Sequence, residues 1–94
     1  MKHADAATLQ RLSPLLEQLR TLSRQPQGTA LVERKTGVFY VKAKAFLHFH
    51  DDPAGQFADV RLIGTEFERF PVSTAAQQRA LVTKVTRYVT AAKP

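Results

Sequence analysis

The residues best suited to chemistry are two histidines in the run His48-Phe49-His50-Asp51-Asp52. On a β-strand, residues two positions apart point to the same side, so both imidazoles should project from one face of a sheet. Such a pair can bind Zn²⁺ or a similar ion with a carboxylate as third ligand. The candidate ligands are His48, His50 and Asp52. Because only His3 and scattered carboxylates remain to complete the coordination, we expect no metal site.

The same histidines have other interpretations. They can lie on a solvated or partly covered sheet face, which we prefer, or act as acid and base, or belong to a binding surface. Two imidazoles on one face repel each other when protonated, so the pKa of at least one should be lowered. For Asp51 and Asp52, which precede Pro53, we expect side-chain hydrogen bonds to backbone N–H groups that fix a turn.

A second group of residues alternates aromatic rings with cations. Stacking rings combined with phosphate contacts are how proteins hold single-stranded nucleic acid. Tyr40 and Phe46 are predicted to share the sheet face opposite the core, where a partner chain can equally cover them. The predicted binding surface consists of Tyr40, Lys42, Lys44, Phe46, His48 and His50. We expect a homodimer through this face, and nucleic acid is the alternative partner.

Composition narrows the function classes. The chain has 94 residues, fourteen Lys and Arg against eight Asp and Glu, a formal charge of +6 and no cysteine. The charges are scattered, which is typical of ordinary solubility, although a phosphate-binding role remains an alternative. The lack of cysteine excludes disulfides and thiolate metal sites and fits a cytoplasmic protein. The first ten residues do not resemble a signal peptide, and no apolar run approaches a membrane span.

Catalysis has little support in the sequence. No phosphate-binding loop, dinucleotide fingerprint, nucleophile elbow or zinc-protease motif is present. The serines at 13, 23 and 73 lie at predicted helix boundaries or in a last turn, where they serve as caps. We therefore favour a non-catalytic binding or interaction module without a cofactor. The alternatives are a basic nucleic-acid-binding domain and a metal-binding protein or metal-dependent enzyme using His48 and His50.

Leucines at helical spacing predict the first helix. It should run from Pro14 to about Arg24, with Ser13 as N-cap. The segment Ala6–Leu12 is either an extra turn or a separate one, and residues 1–7 should be frayed. Near the other end, Thr74-Ala75-Ala76-Gln77 matches a capping box and predicts a last helix to about Ala92. Its apolar stripe consists of Leu81, Val85, Tyr88, Val89 and Ala92.

Between the helices the pattern has period two, which is typical of strands. After a break at Gln25–Gly28, strands are predicted at 29–35, within 37–52, at 57–63 and at 66–72. In the strand at 57–63, Ala58 and Val60 should face inward and Asp59 and Arg61 outward. Pro71 indicates that the last strand lies at a sheet edge.

The run Gly37–Asp52 is too long for one strand, so it should fold into a hairpin. We prefer a three-residue loop at Lys42-Ala43-Lys44, which pairs Val41 with Ala45 and Phe39 with Leu47. A two-residue loop would instead place Phe46 and His48 on the core face.

These elements predict one domain, residues 1–94, of the α+β class. It is a two-layer sandwich, in which an antiparallel sheet of four to five strands carries the N- and C-terminal helices on one face.

The runs G-V-F-Y-V-K-A-K-A-F-L-H-F-H and F-E-R-F-P-V-S resemble the strand–turn–strand and the closing strand of the YjbR/MmcQ-like proteins. The resemblance covers residues 14–90 in outline, with Ala43 where that family has Gly. It implies a compact α/β sandwich of poorly defined function, sometimes described as DNA-binding-like, and it transfers no catalytic residues.

Overall fold

The computed structural model describes residues 2–23 and 31–91. In chain order the elements are β1 (Lys2–His3), α1 (Ala6–Arg11), α2 (Ser13–Ser23), β2 (Leu31–Lys35), β3 (Val38–Val41), β4 (Lys44–Asp52), β5 (Gly55–Ile63), β6 (Glu66–Pro71) and α3 (Ala75–Ala91). Three predicted features lie outside the described residues: the break at Gln25–Gly28, the strand start at Thr29 and the helix ends at Arg24 and Ala92.

The sheet is an antiparallel meander in the order β2-β3-β4-β5-β6, which confirms the predicted fold class. The two-residue β1 also pairs with β4. Because β5 occupies one edge of β4 along residues 47–52, β1 and β3 must share the other edge. Pro71 lies on the edge strand β6, as predicted.

The helices cover one face of this sheet. Leu15 and Leu19 of α2 and Val85 of α3 are fully buried, in one cluster with Phe39 and Val60 of the sheet. The leucine face of α2 and the α3 stripe through Val89 are therefore confirmed. No helix among the described residues is long and apolar enough to cross a bilayer.

The predicted capping box at the start of α3 is present. The backbone N–H of Gln77 donates to Thr74 Oγ1 at 3.1 Å, and the Thr74 N–H donates to Gln77 Oε1 at 3.1 Å. These reciprocal bonds satisfy two amides, and they explain why the helix begins at Ala75.

The hairpin turn differs from the prediction. Its loop is the two residues Lys42 and Ala43, with φ of 53° and 67°, the sign pattern of a type I′ turn. Val41 consequently pairs with Lys44 and not with Ala45. The three-residue loop was wrong because the twist of two adjoining strands favours the tighter turn, even without Asn or Gly.

A β-bulge at Phe46 corrects the shift that this turn introduces. Tyr40 pairs with Ala45 and Phe39 with Leu47, as predicted for the second pair, so Phe46 is the extra residue. Phe46 and Leu47 are both fully buried, and the Phe46 ring stacks on Tyr88 of α3 at 4.9 Å between centroids. The prediction that Phe46 shares the outer face with Tyr40 was therefore wrong.

The described part of the N-terminal segment packs against the sheet, where β1 pairs with β4, and the expectation that residues 1–7 are frayed stays a prediction. Asp5 caps α1, a separate short helix, by accepting from the Thr8 N–H at 2.9 Å. The Thr8 hydroxyl donates to Asp51 Oδ2 at 3.0 Å, which ties α1 to β4. Gly37 has φ of 77°, a left-handed conformation that favours glycine, and the end of the Leu9 side chain lies where a Cβ would be.

Candidate metal site

The site lies on the sheet face opposite the helices. Leu47 and Phe49 point into the core, so the alternating His48 and His50 project from the other face, as the sequence predicts. Antiparallel pairing places His3 of β1 directly opposite His50. This pairing brings together three histidines from two strands that are far apart in sequence.

The three imidazoles form one compact cluster. The ring centroids of His3 and His50 lie 4.7 Å apart, those of His48 and His50 4.8 Å, and those of His3 and His48 5.5 Å. One nitrogen from each ring can be chosen so that all lie within 4.8 Å of one another. The three side chains differ in burial: His3 is exposed, His48 is half-buried, and His50 is buried, with 8% of its surface exposed.

Several nitrogens of this cluster are buried without hydrogen bonds. The Nδ1 atoms of His48 and His50 have no partner in the part of the chain that the structure describes. A buried polar atom without a partner costs about 1–3 kcal/mol, so native proteins rarely keep several in one place. These two nitrogens are therefore candidates to bind a metal ion or to make a hydrogen bond to a ligand.

A carboxylate lies behind the cluster. Asp59 of β5 pairs with His48 of β4, and the Asp59 Oδ2 atom lies 3.0 Å from His50 Nε2. This oxygen is not aligned for a hydrogen bond, so the contact is one of charge and proximity. Arg69 of β6 holds the carboxylate with two bonds, Nε to Oδ1 at 2.8 Å and Nη2 to Oδ2 at 2.9 Å. Asp59 is thereby fixed in position beneath the imidazole.

The surroundings favour neutral imidazole at His48. Burial lowers the pKa of His48, and the neighbouring His50 lowers it further, while Asp59 acts in the opposite direction. The ring of Phe67 packs edge-on against His48 at 4.9 Å and adds to this burial. The direction agrees with the sequence-based expectation for one of the two histidines, and burial is a larger cause than repulsion between the rings.

The carboxylate stays charged. The hydrogen bonds from Arg69 lower the pKa of Asp59 below its usual range, although burial opposes this. Asp59 therefore remains an anion through the pH range in which histidines titrate. A fixed negative charge behind His50 favours a cation in front of this ring.

The acidic residues of the sequence motif have structural roles. Asp52 Oδ1 accepts from the Ala54 N–H at 2.9 Å, which confirms the predicted turn contact. Asp51 accepts instead from Thr8 and from the Gln56 side chain. The cluster found among the described residues comprises His3, His48 and His50, so Asp52 is not among the ligands brought together.

The predicted nucleic-acid surface is only partly assembled. Tyr40 is half-buried, with the Arg34 guanidinium 5.2 Å above its ring, and Lys42 and Lys44 are exposed at the hairpin tip. Phe46 lies in the core and offers no ring to a ligand. One of the two proposed stacking rings is therefore removed.

Sequence reasoning did not place Asp59 or His3 in the site. Asp59 was expected to face outward into solvent, and it does lie on the outer face, but His50 and Arg69 bury it to 7% exposure. The signal was the strong turn at Pro53-Ala54, which pairs Asp52 with Gly55 and so fixes Asp59 opposite His48. No comparable pattern pointed to His3, because a two-residue strand is too short to show a period.

Comparison with known proteins found no protein family, no curated protein and no solved structure that matches this chain. The likeness to the YjbR/MmcQ-like proteins stays a prediction.

Proposed function

We propose that this protein binds one divalent transition-metal ion through His3, His48 and His50. The observation that carries the proposal is the convergence of three ligand nitrogens within 4.8 Å, from two strands far apart in sequence. This replaces our expectation of no metal site, which rested on two ligands from a single strand.

The geometry is close to what a metal ion requires. In a tetrahedral zinc site with Zn–N distances near 2.0–2.1 Å, ligand nitrogens lie about 3.4 Å apart. The widest pair here must close by at most about 1.4 Å, since no separation exceeds 4.8 Å. Rotation of exposed His3 can supply most of this movement, because its ring is the least confined of the three.

The groups behind the ligands support the same function. His50 faces Asp59 through Nε2, which leaves Nδ1 as the metal-binding atom. The Asp59 carboxylate on the far side of this ring is a fixed negative charge that favours a cation bound in front of it. The lowered pKa of His48 keeps that ring neutral near pH 7, the state that binds metal.

The ligand set indicates the class of ion. Imidazole suits Zn²⁺, Cu²⁺, Ni²⁺ and Co²⁺, whereas Mg²⁺ and Ca²⁺ prefer oxygen. Three histidines fill three positions of a tetrahedron and leave a fourth for water or another ligand.

The test is a calorimetric titration of chelator-treated protein with Zn²⁺. We expect one ion per chain. His50→Ala should weaken binding by more than the roughly 10- to 100-fold that loss of a supporting group typically costs. The matched control is Asp52→Asn, which removes the candidate ligand that lies outside the cluster and should leave affinity unchanged. Wild-type protein that takes up no ion, or equal losses in both variants, would contradict the proposal.

The remaining expectations from sequence stay predictions. A homodimer through the open face now rests on Phe67, which is 41% exposed beside His48, and no longer on Phe46. Sedimentation at micromolar concentration, with Phe67→Asp for comparison, tests it. Nucleic-acid binding and a cytoplasmic location gain no specific support from the described residues.

A further inference from the structure

A cavity of about 500 Å³ opens beside the histidine cluster. His3 and His48 belong to its wall, so the cavity and the metal site share two residues. The other polar side chains of the wall come from Lys35, Thr36 and Tyr40.

The sheet topology creates this cavity. Strand β3 pairs with β4 along residues 44–47, and β1 pairs with the same edge at residues 50–51. Between these two pairings the Ala4 N–H donates to the Phe49 carbonyl of β4 at 3.1 Å. A gap therefore separates β1 from β3 along the edge of β4, beside His48. The cavity in this gap has the size of a small-molecule pocket.

The wall has the chemistry of an anion site. Lys35 supplies a positive charge, and Thr36 and Tyr40 supply hydroxyl donors. None of the described residues that line it is acidic. Arg34 lies over the Tyr40 ring and adds a second positive charge close by. A metal ion on His3 and His48 would raise the positive potential further.

We propose that the cavity binds a small organic oxyanion, a carboxylate or phosphate monoester, whose oxygen occupies the open coordination position of the metal. Lys35 is its counter-charge, and the Tyr40 and Thr36 hydroxyls donate to it. This inference rests on the proposed metal site, since the ion supplies one of the contacts. It assigns the protein a ligand class that three histidines alone do not specify.

The experiment uses Co²⁺, whose visible absorption reports its coordination. The protein is loaded with Co²⁺ and titrated with benzoate, phenyl phosphate and the neutral benzyl alcohol, three probes that share one ring. We expect the two anions to change the Co²⁺ spectrum saturably and benzyl alcohol to leave it unchanged. The tighter of the two anions identifies which oxyanion the cavity prefers.

A matched pair of lysine variants tests the cavity itself. Lys35→Met, loaded with Co²⁺, should bind the anions about tenfold more weakly, which is a typical contribution of one charge-assisted contact. Lys42→Met, which removes an exposed charge outside the cavity, should have no effect on anion binding. Both lysines are exposed, so both variants should fold.

The outcomes separate the two proposals. If Co²⁺ binds but no anion alters its spectrum, the cavity proposal is overturned and the metal site stands. Equal losses in Lys35→Met and Lys42→Met would also overturn it, because the effect would then come from net charge. If Co²⁺ does not bind, both proposals fail together.

Discussion

The two faces of this sheet treat the same strand in opposite ways. On the helix-covered face, Phe46, Leu47 and Phe49 of β4 are buried against other apolar side chains. On the open face, His48 and His50 are partly or fully buried with nitrogens that have no partner among the described residues. The helix-covered face is closed by apolar side chains of the chain itself, whereas buried polar atoms on the open face lack partners among the described residues. We therefore expect substitutions on the covered face to change stability and substitutions on the open face to change ligand binding.

The largest effect should be a difference in unfolding free energy between two variants, each of which loses one phenylalanine ring. Phe46→Ala removes a fully buried ring that stacks on Tyr88 and should cost about 3–5 kcal/mol of unfolding free energy. Phe67→Ala removes a ring from the open face and should cost about 0.5 kcal/mol, the usual range for surface positions. Urea denaturation of both variants measures the difference. Similar losses would show that the open face is also part of the core.

The next effect concerns the groups that support the open face. Asp59→Asn keeps the shape of the side chain but removes the charge behind His50. We expect Zn²⁺ affinity to fall about 10- to 100-fold, as for other carboxylates behind metal-bound histidines. Asp51→Asn is the control, because Asp51 lies beside the histidines in sequence but contacts Thr8 and Gln56. An unchanged affinity in Asp59→Asn would remove Asp59 from the site.

A smaller effect should appear at the turn on which both faces depend. Ala43 has φ of 67°, a left-handed conformation that costs an alanine about 1 kcal/mol. Ala43→Gly should therefore raise the unfolding free energy by about that amount without changing either face. Ala54→Gly, at an exposed turn position without positive φ, should give no gain. Thermal denaturation of the two variants distinguishes relief of strain from a general effect of glycine.

The smallest effect should be a pH dependence in the metal-free protein. The pKa of His48 is lowered in the folded state, so between that value and the unfolded value of about 6.5 the unfolded chain binds more protons. Stability should therefore fall as the pH drops through this range. His50, His3, Asp59 and Arg69 act on the same ring.

The measurement is urea denaturation from neutral to mildly acidic pH in the presence of a chelator. His48→Gln should flatten the pH dependence. Identical slopes in the variant and the wild type would assign the dependence to another group.

Much of the fold could be predicted from local patterns. The capping box at Thr74 and the alternation around Leu47 each concern residues close in sequence, and both were confirmed. The bulge at Phe46 could not be predicted, because it results from a mismatch between the turn and the pairing of two strands. Because Phe46 is the extra residue of the bulge, its ring lies in the core and not on the outer face where we expected it.

The candidate site was predicted only in part. The pairing of His48 with His50 followed from their spacing, but His3 and Arg69 depend on register between strands far apart in sequence. Short strands and charged residues show little periodic pattern. Their partners in the sheet therefore could not be predicted from the sequence. The expectation of an incomplete ligand set was a consequence of this limit.

The two-residue length of strand β1 bears on how long the proposed ion would stay bound. His48 and His50 lie on a central strand of the sheet, whereas His3 belongs to a strand of two residues paired with β4. Segments with few contacts detach far more often than the fold unfolds. We therefore expect an ion to leave stepwise, losing His3 first. Its residence time would then depend on the peeling of β1, even in a variant whose core has been made more stable.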